Sequence, residues 1–335
     1  MISPIMRDQA HHSHSGTPHI AFLFPGQGSQ AVGMGKELAA MYPVAEETFR
    51  EADEALGYSL SSICFEGPED KLKLTEITQP AILTMSVAVL RVLRSKGLVP
   101  SFVAGHSLGE YSAHVAAETL EFADAVRTVA KRGKYMQEAV PAGQGAMAAI
   151  LGMAPAEVAE ITKKAAQGEI VAAANLNSPE QTVISGTAAA VRRAVEIASR
   201  LPAKRAVILA VSAPFHCELM MPAQKQLEAD LRAITFHKLR FPLYTNADAE
   251  AITEGEEARD ALIRQVCLPV RWLDSVHEMI DSGVHMFVEV GPGKVLGGLL
   301  RQIDRAVRCA GVEDSASLQA ALDKIQQSRA ETAEA

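Results

Sequence analysis

Ser107 stands between two glycines in Gly105-His106-Ser107-Leu108-Gly109, after the apolar run 101–105 and at the head of a helix-like segment. G-x-S-x-G in that setting describes a nucleophile elbow, a sharp turn that lifts a serine hydroxyl out of a sheet and aims it at a cleft. The flanking glycines leave room for the neighbouring chain. The turn also brings a helix N-terminus under the hydroxyl, where the N–H of Leu108 can face a developing oxyanion. The motif alone is weak, and a plain tight turn is the alternative.

A serine nucleophile needs a base. His106 lies inside the elbow and should point away from Ser107, and His114 lies about two helical turns further on. His216, in "VSAPFHCELM", sits where an inserted segment would rejoin the main domain, and domain junctions line clefts. It is the best candidate, although a packed histidine fits the position equally well. No aspartate stands out to orient it. A backbone carbonyl can do that by accepting the other ring N–H.

A second glycine loop, Gly26-Gln27-Gly28-Ser29-Gln30-Ala31, follows the apolar run 19–24. It matches a dinucleotide fingerprint poorly, because Pro25 stiffens its entry and the expected acidic residue falls within a helical stretch. The better reading is a close backbone approach to a reacting group, with Gln27 supplying a second oxyanion N–H. "GPGK" at 291–294 lacks the spacing of a phosphate loop.

These residues need a scaffold. Strand-like runs at 19–24, 101–105, 239–246 and 284–293 alternate with helical stretches near 35–56, 78–97, 107 onward, 122–140, 256–267 and from 294. That alternation predicts a parallel sheet covered on both faces. Between them, strands at 145–151, 170–176, 181–186 and 205–212 and helices at 154–168 and 187–201 give the order β-α-β-β-α-β, a ferredoxin-like unit. The expectation is an α/β fold with a hydrolase-like large domain, residues 18–142 and 213–320, and a ferredoxin-like insertion at 143–212. Residues 1–17 read as a disordered tail and 321–335 as a frayed one.

Composition narrows the function. The chain has 335 residues, 48% hydrophobic and 21% charged, with a formal net charge of −8. That argues against nonspecific nucleic-acid binding, which needs a basic face. Four scattered cysteines form no C-x-x-C pair, so neither a zinc site nor a disulfide framework is expected. No uninterrupted apolar run reaches membrane-spanning length, and the first residues lack a signal peptide's apolar stretch. His11, His12 and His14 could bind metal adventitiously. The expectation is a cytoplasmic monomer with no metal, cofactor or membrane partner.

Several segments together resemble the malonyl-CoA:acyl carrier protein transacylases and the acyltransferase domains of polyketide and fatty acid synthases. They include "FPGQGSQ" at 24–30, "GHSLGEYSA" at 105–113, "RGKYMQEAVP" at 132–141, "NSPEQTVISG" at 177–186, "PFHCELM" at 214–220, "RQVCLPVRW" at 264–272 and "EVGPGKVL" at 289–296. The resemblance implies Ser107 as nucleophile, His216 as general base and acid, and Gln265 as the residue whose main-chain carbonyl orients His216. It implies Gln27 and Leu108 as oxyanion donors. It implies Arg132, otherwise one of several helix arginines, as the partner of a malonyl carboxylate. A guanidinium can grip that carboxylate through two parallel hydrogen bonds. Phe215 resembles a phenylalanine of malonyl-selective members, or simply packs the domain junction.

The implied partners are malonyl-CoA and acyl carrier protein, both anionic, and the implied reaction serves fatty acid synthesis or a polyketide assembly line. Cations at Lys131/Lys134, Arg192/Arg193 and Arg200/Lys204/Arg205 could form a local docking patch, or be solvated surface. The sequence departs from the family pattern at His114 and Glu118, where a non-polar residue and a small residue or glycine are common. The competing readings are a serine thioesterase or hydrolase with water as acceptor, a dinucleotide-dependent oxidoreductase and a noncatalytic assembly subunit.

Overall fold

A computed structural model describes residues 19–201, 205–211 and 213–334. The histidines at 11, 12 and 14, the 1–17 segment and Lys204 lie outside the described residues.

The main sheet is built from β1 (His19–Phe24), β2 (Phe102–Gly105), β7 (Leu243–Tyr244), β8 (Ala251–Ile252), β9 (Val284–Val290) and β10 (Arg308–Val312). Its order is β10-β9-β1-β2-β7-β8. All neighbours are parallel except β7 and β8, which pair antiparallel at one edge. The central strands are nearly continuous apolar runs, as burial on both faces requires. Phe22, Leu23 and Phe24 of β1 are fully buried.

The helix Thr75–Ser95 is long and apolar enough to cross a membrane, but 83% of that window is buried inside the fold. It is the core helix of the large domain. It packs against the helix Phe122–Glu138, which carries Arg132.

The second sheet comprises β3 (Gly145–Leu151), β4 (Val171–Ser178), β5 (Gln181–Thr187) and β6 (Arg205–Ile208), in the order β4-β5-β3-β6. Every neighbouring pair is antiparallel. The helices Pro155–Ala166 and Ala188–Ser199 share a separate core with it, around Ile150, Val158, Ile184 and Val191. That is the ferredoxin-like order. A parallel bridge between Asn175 and Val270 joins this sheet to the large domain, through Leu176 N–H to Val270 O at 2.9 Å and Val270 N–H to Ala174 O at 2.8 Å.

Some elements differ from the sequence reading. The strand expected at 239–246 is only Leu243–Tyr244. Pro242 has no N–H for a ladder, and only its carbonyl takes part, accepting from Val103 N–H at 3.0 Å. The stretch 35–56 is two helices, Lys36–Met41 and Pro43–Leu56, because the residue before a proline is driven out of helical geometry and Tyr42 is extended. Residues 321–334, expected as a frayed tail, are helical. Ser315–Glu334 is one helix whose Leu318, Ala321 and Ile325 recur at helical spacing and bury themselves beside β10.

Candidate active site

A cavity of about 660 Å³ opens between the two sheets. Gln27, Ser107, Leu108 and Arg132 line it from the large domain, and Met147 and Asn175 from the small one. Ser107 follows β2 and precedes the helix Gly109–Ala116. Its φ is 52°, a left-handed conformation that side chains disfavour. The glycines make the turn possible by close approach. A Cβ on Gly105 would stand 2.0 Å from the Gly109 carbonyl, and one on Gly109 would stand 2.0 Å from Phe24 O. Asn246, just past the end of β7, clamps the turn. Its Oδ1 accepts from Ser107 N–H at 2.7 Å, and its Nδ2 donates to Gly105 O at 2.7 Å.

His216 also has a left-handed backbone, with φ 58°. Its Nε2 lies 2.7 Å from Ser107 Oγ, and its Nδ1 lies 2.9 Å from the main-chain oxygen of Gln265. A carbonyl can only accept, so Nδ1 carries the ring proton and Nε2 is free to accept from the serine hydroxyl. Burial, and then the nearby Arg132 charge, lowers the His216 pKa to about 3. The ring is therefore neutral across the physiological range.

Arg132 is only 1% exposed, which its place on an amphipathic helix does not announce. Its Nη1 donates to Gln79 Oε1 at 2.9 Å. Its Nη2 donates to Gln265 Oε1 at 3.0 Å and to Ser107 Oγ at 3.1 Å. These partners are neutral, and among the described residues no carboxylate is bonded to the guanidinium. Burial lowers its pKa, with Tyr111 and Glu110 pulling the other way.

Beneath the elbow, Glu110 Oε2 accepts from Asn246 N–H at 2.9 Å and from Gln265 Nε2 at 2.8 Å. Burial raises this carboxyl to about 7. The sequence reading missed Asn246, Glu110, Gln79 and the side chain of Gln265. For Asn246 there was a signal, a polar residue at the carboxyl end of a parallel strand, where α/β sheets place their ligands. Glu110 showed itself as the one carboxylate of the helix Gly109–Ala116, in its first turn.

The remaining candidates sort clearly. Phe215, 9% exposed, lines the cavity beside His216. His106 turns away from Ser107, as expected, with Nε2 2.9 Å from Asn177 Oδ1 and its ring against Trp272. The Gly26–Ala31 loop does not open a helix, since the next begins at Lys36, so the dinucleotide geometry is missing there. Among the described residues no group of three or more His, Cys, Asp or Glu is arranged to hold a metal. Lys131, Lys134 and Arg193 pair with Asp230, Glu138 and Glu169 at 2.6, 4.0 and 2.6 Å. Among the described residues of the cation clusters, that leaves Arg192, Arg200 and Arg205 on the small domain, outside the ion pairs that engage the others.

Residues 21–329 match the acyl transferase domain family. The chain belongs to that family. This acyltransferase is 49% identical over 309 residues to the malonyl CoA-acyl carrier protein transacylase of Bacillus subtilis, covering 92% of this chain and 98% of the relative. An acyl carrier protein S-malonyltransferase from Vibrio cholerae, solved by crystallography, superposes with a TM-score of 0.88 at 47% identity, over 90% of this chain and 99% of its own. A malonyl-transacylase solved in complex with its type II polyketide acyl carrier protein superposes with a TM-score of 0.89 at 47% identity, over 91% of this chain and 99% of its own.

Proposed function

We propose that this acyltransferase moves a malonyl group from malonyl-CoA to the phosphopantetheine thiol of acyl carrier protein, through an ester on Ser107. The observation that carries the reading is a buried guanidinium with no bonded carboxylate among the described residues, 3.1 Å from a serine oxygen that lies 2.7 Å from a neutral histidine. Acetyl would leave that cation unpaired in a dry site, whereas malonyl supplies the missing charge.

In the first half-reaction His216 Nε2 takes the Ser107 proton as Oγ bonds to the thioester carbonyl carbon. The N–H groups of Gln27 and Leu108 receive the oxyanion. The tetrahedral species collapses, the C–S bond breaks, and the CoA sulfur leaves with the proton from His216. The second half-reaction runs in reverse: the carrier thiol gives its proton to His216, its sulfur attacks the ester, and Ser107 regains its hydrogen. Gln265 O holds the imidazole in the required tautomer throughout. The carboxylate of malonyl also quiets Arg132, which removes one cause of the depressed histidine pKa and makes His216 a better base after binding. Phe215 fills the space an α-methyl branch would need, so methylmalonyl is the poorer donor.

The setting is cytoplasmic fatty acid synthesis. The likeness to the polyketide complex supports a polyketide carrier as a second acceptor, and an assay over carrier proteins of both kinds ranks them. The decisive test is intact-mass analysis with malonyl-CoA, followed by holo carrier protein. A malonyl adduct on the enzyme that moves to the carrier thiol is the expected result. Free malonate, released at the same rate with or without carrier, would make this a hydrolase.

A further inference from the structure

One carboxylate oxygen joins the two halves of the site. Glu110 Oε2 receives the backbone N–H of Asn246, whose side chain fixes the Ser107 turn. The same oxygen receives Gln265 Nε2, whose other end, Oε1, receives Arg132 Nη2. The chemistry of the partners fixes the direction of this relay. Arg132 can only donate, and Ser107 O, 2.9 Å from Gln265 Nε2, can only accept. The Gln265 amide is therefore oriented with its oxygen on the guanidinium. Glu110 is fully buried. Its other oxygen, Oε1, has no hydrogen-bond partner among the described residues and lies 4.0 Å from His114 Nε2.

We infer that Glu110 is a positioning residue that sets Ser107 and Arg132 relative to one another, acting through Asn246 on one side and Gln265 on the other. The inference rests on the malonyl-transfer reading above. It concerns acceptance at Oε2 and not negative charge. If the carboxyl takes a proton, that proton has a vacant place on Oε1 and Oε2 keeps both of its donors. Without Oε2, Asn246 N–H is buried with no acceptor, and the Gln265 amide loses one of the groups holding it. Arg132 then loses its fixed acceptor beside the nucleophile.

The side chain that separates acceptance from charge is glutamine. In Glu110→Gln the amide oxygen occupies the Oε2 position, and the NH2 turns to His114, whose ring nitrogens have no partner. Glu110→Met keeps the length and removes both acceptors. The measurement is the rate of Ser107 acylation by malonyl-CoA and by acetyl-CoA, followed by intact mass, for each variant. Glu110→Met is expected to lower malonyl loading by roughly 10- to 100-fold. It should lower the malonyl-to-acetyl ratio by about 10-fold, because acetyl makes no use of Arg132. Glu110→Gln should restore most of both.

General structural damage would slow both substrates alike and leave the ratio unmoved, and that result overturns the inference. So does a Glu110→Gln loss as deep as that of Glu110→Met, which would assign the effect to charge. If Glu110→Met does not fold, Gln265→Met interrupts the relay from its other end and keeps the main-chain carbonyl. The same fall in ratio is expected there, and an unchanged ratio refutes the relay. Wild-type enzyme that takes no malonyl from malonyl-CoA would instead remove the parent reading, so the two failures are separable.

Discussion

Two histidines in this molecule are buried to the same degree and depressed to the same pKa of about 3, yet only one sits in a site. His216 bonds Ser107 through one nitrogen and Gln265 O through the other, and it borders a cavity. His114 occupies the helix Gly109–Ala116 with both nitrogens unpartnered and its edge toward Phe236. Burial alone can produce a perturbed titration. What marks a reacting group is that each polar atom has a partner whose chemistry dictates its role, and that open space adjoins it. Arg132 lies between the two cases. Its Nη atoms are satisfied by neutral acceptors, its Nε has no partner, and its charge is left for a ligand to balance.

That contrast can be tested by disturbing each end. The largest effect belongs to Ser107→Ala, which should lower transfer by roughly four orders of magnitude or more and leave no malonyl adduct by intact mass. A persisting adduct would place the nucleophile elsewhere. Next is Arg132→Ala, expected to cut the malonyl-to-acetyl loading ratio by about 100-fold, measured with the two CoA esters in competition. An unaltered ratio would sink the carboxylate clamp.

Acidification should act on both histidines. Their folded pKa of about 3 lies below the ordinary 6.5. Between those values the unfolded chain holds protons that the folded one does not, so their contribution to stability is present above pH 6.5 and is lost as pH falls toward 3. His114→Leu should remove one proton from that uptake and flatten the acid limb of a stability-against-pH curve. It should also gain about 1 kcal/mol at neutral pH by deleting an unsatisfied buried group, with malonyl transfer preserved. Trp272, the single tryptophan and fully buried, gives the fluorescence signal for that titration. The smallest effect is at Glu118, whose φ of 60° favours glycine. Glu118→Gly relieves that strain but loses ion pairs to Arg240 and Arg94 at 2.7 and 3.3 Å, so thermal melting should move stability by under about 0.5 kcal/mol.

Much of this was legible in the residues, for identifiable reasons. Ser107 declares itself because the elbow demands glycine at fixed offsets, and the ferredoxin-like insertion because its strands and helices are short and strongly patterned. His216 was only a position at a domain junction, and the family resemblance gave it a role. Gln265 meets His216 through its main-chain oxygen, where side-chain identity carries no signal. Arg132 could not be told from its neighbours by helical spacing, because Gln79 and Gln265, which bury it, come from distant segments. The role of Glu110 was hidden for the same reason: its partners are 136 and 155 positions away. The helix Ser315–Glu334 was misjudged on its polar surface, although one apolar stripe suffices to dock it.

The spread of the site along the chain has a consequence during synthesis. Ser107 and His216 are 109 positions apart, and His216 and Gln265 a further 49. The ribosome must therefore deliver the elbow, the whole antiparallel insertion and about half of the returning segment before the Ser107 hydroxyl meets the His216 ring and that ring the Gln265 carbonyl. On the proposed mechanism, a nascent or truncated polypeptide ending before that point carries an inert alcohol, and CoA thioesters are safe from it at least until residue 265 of 335 has been made.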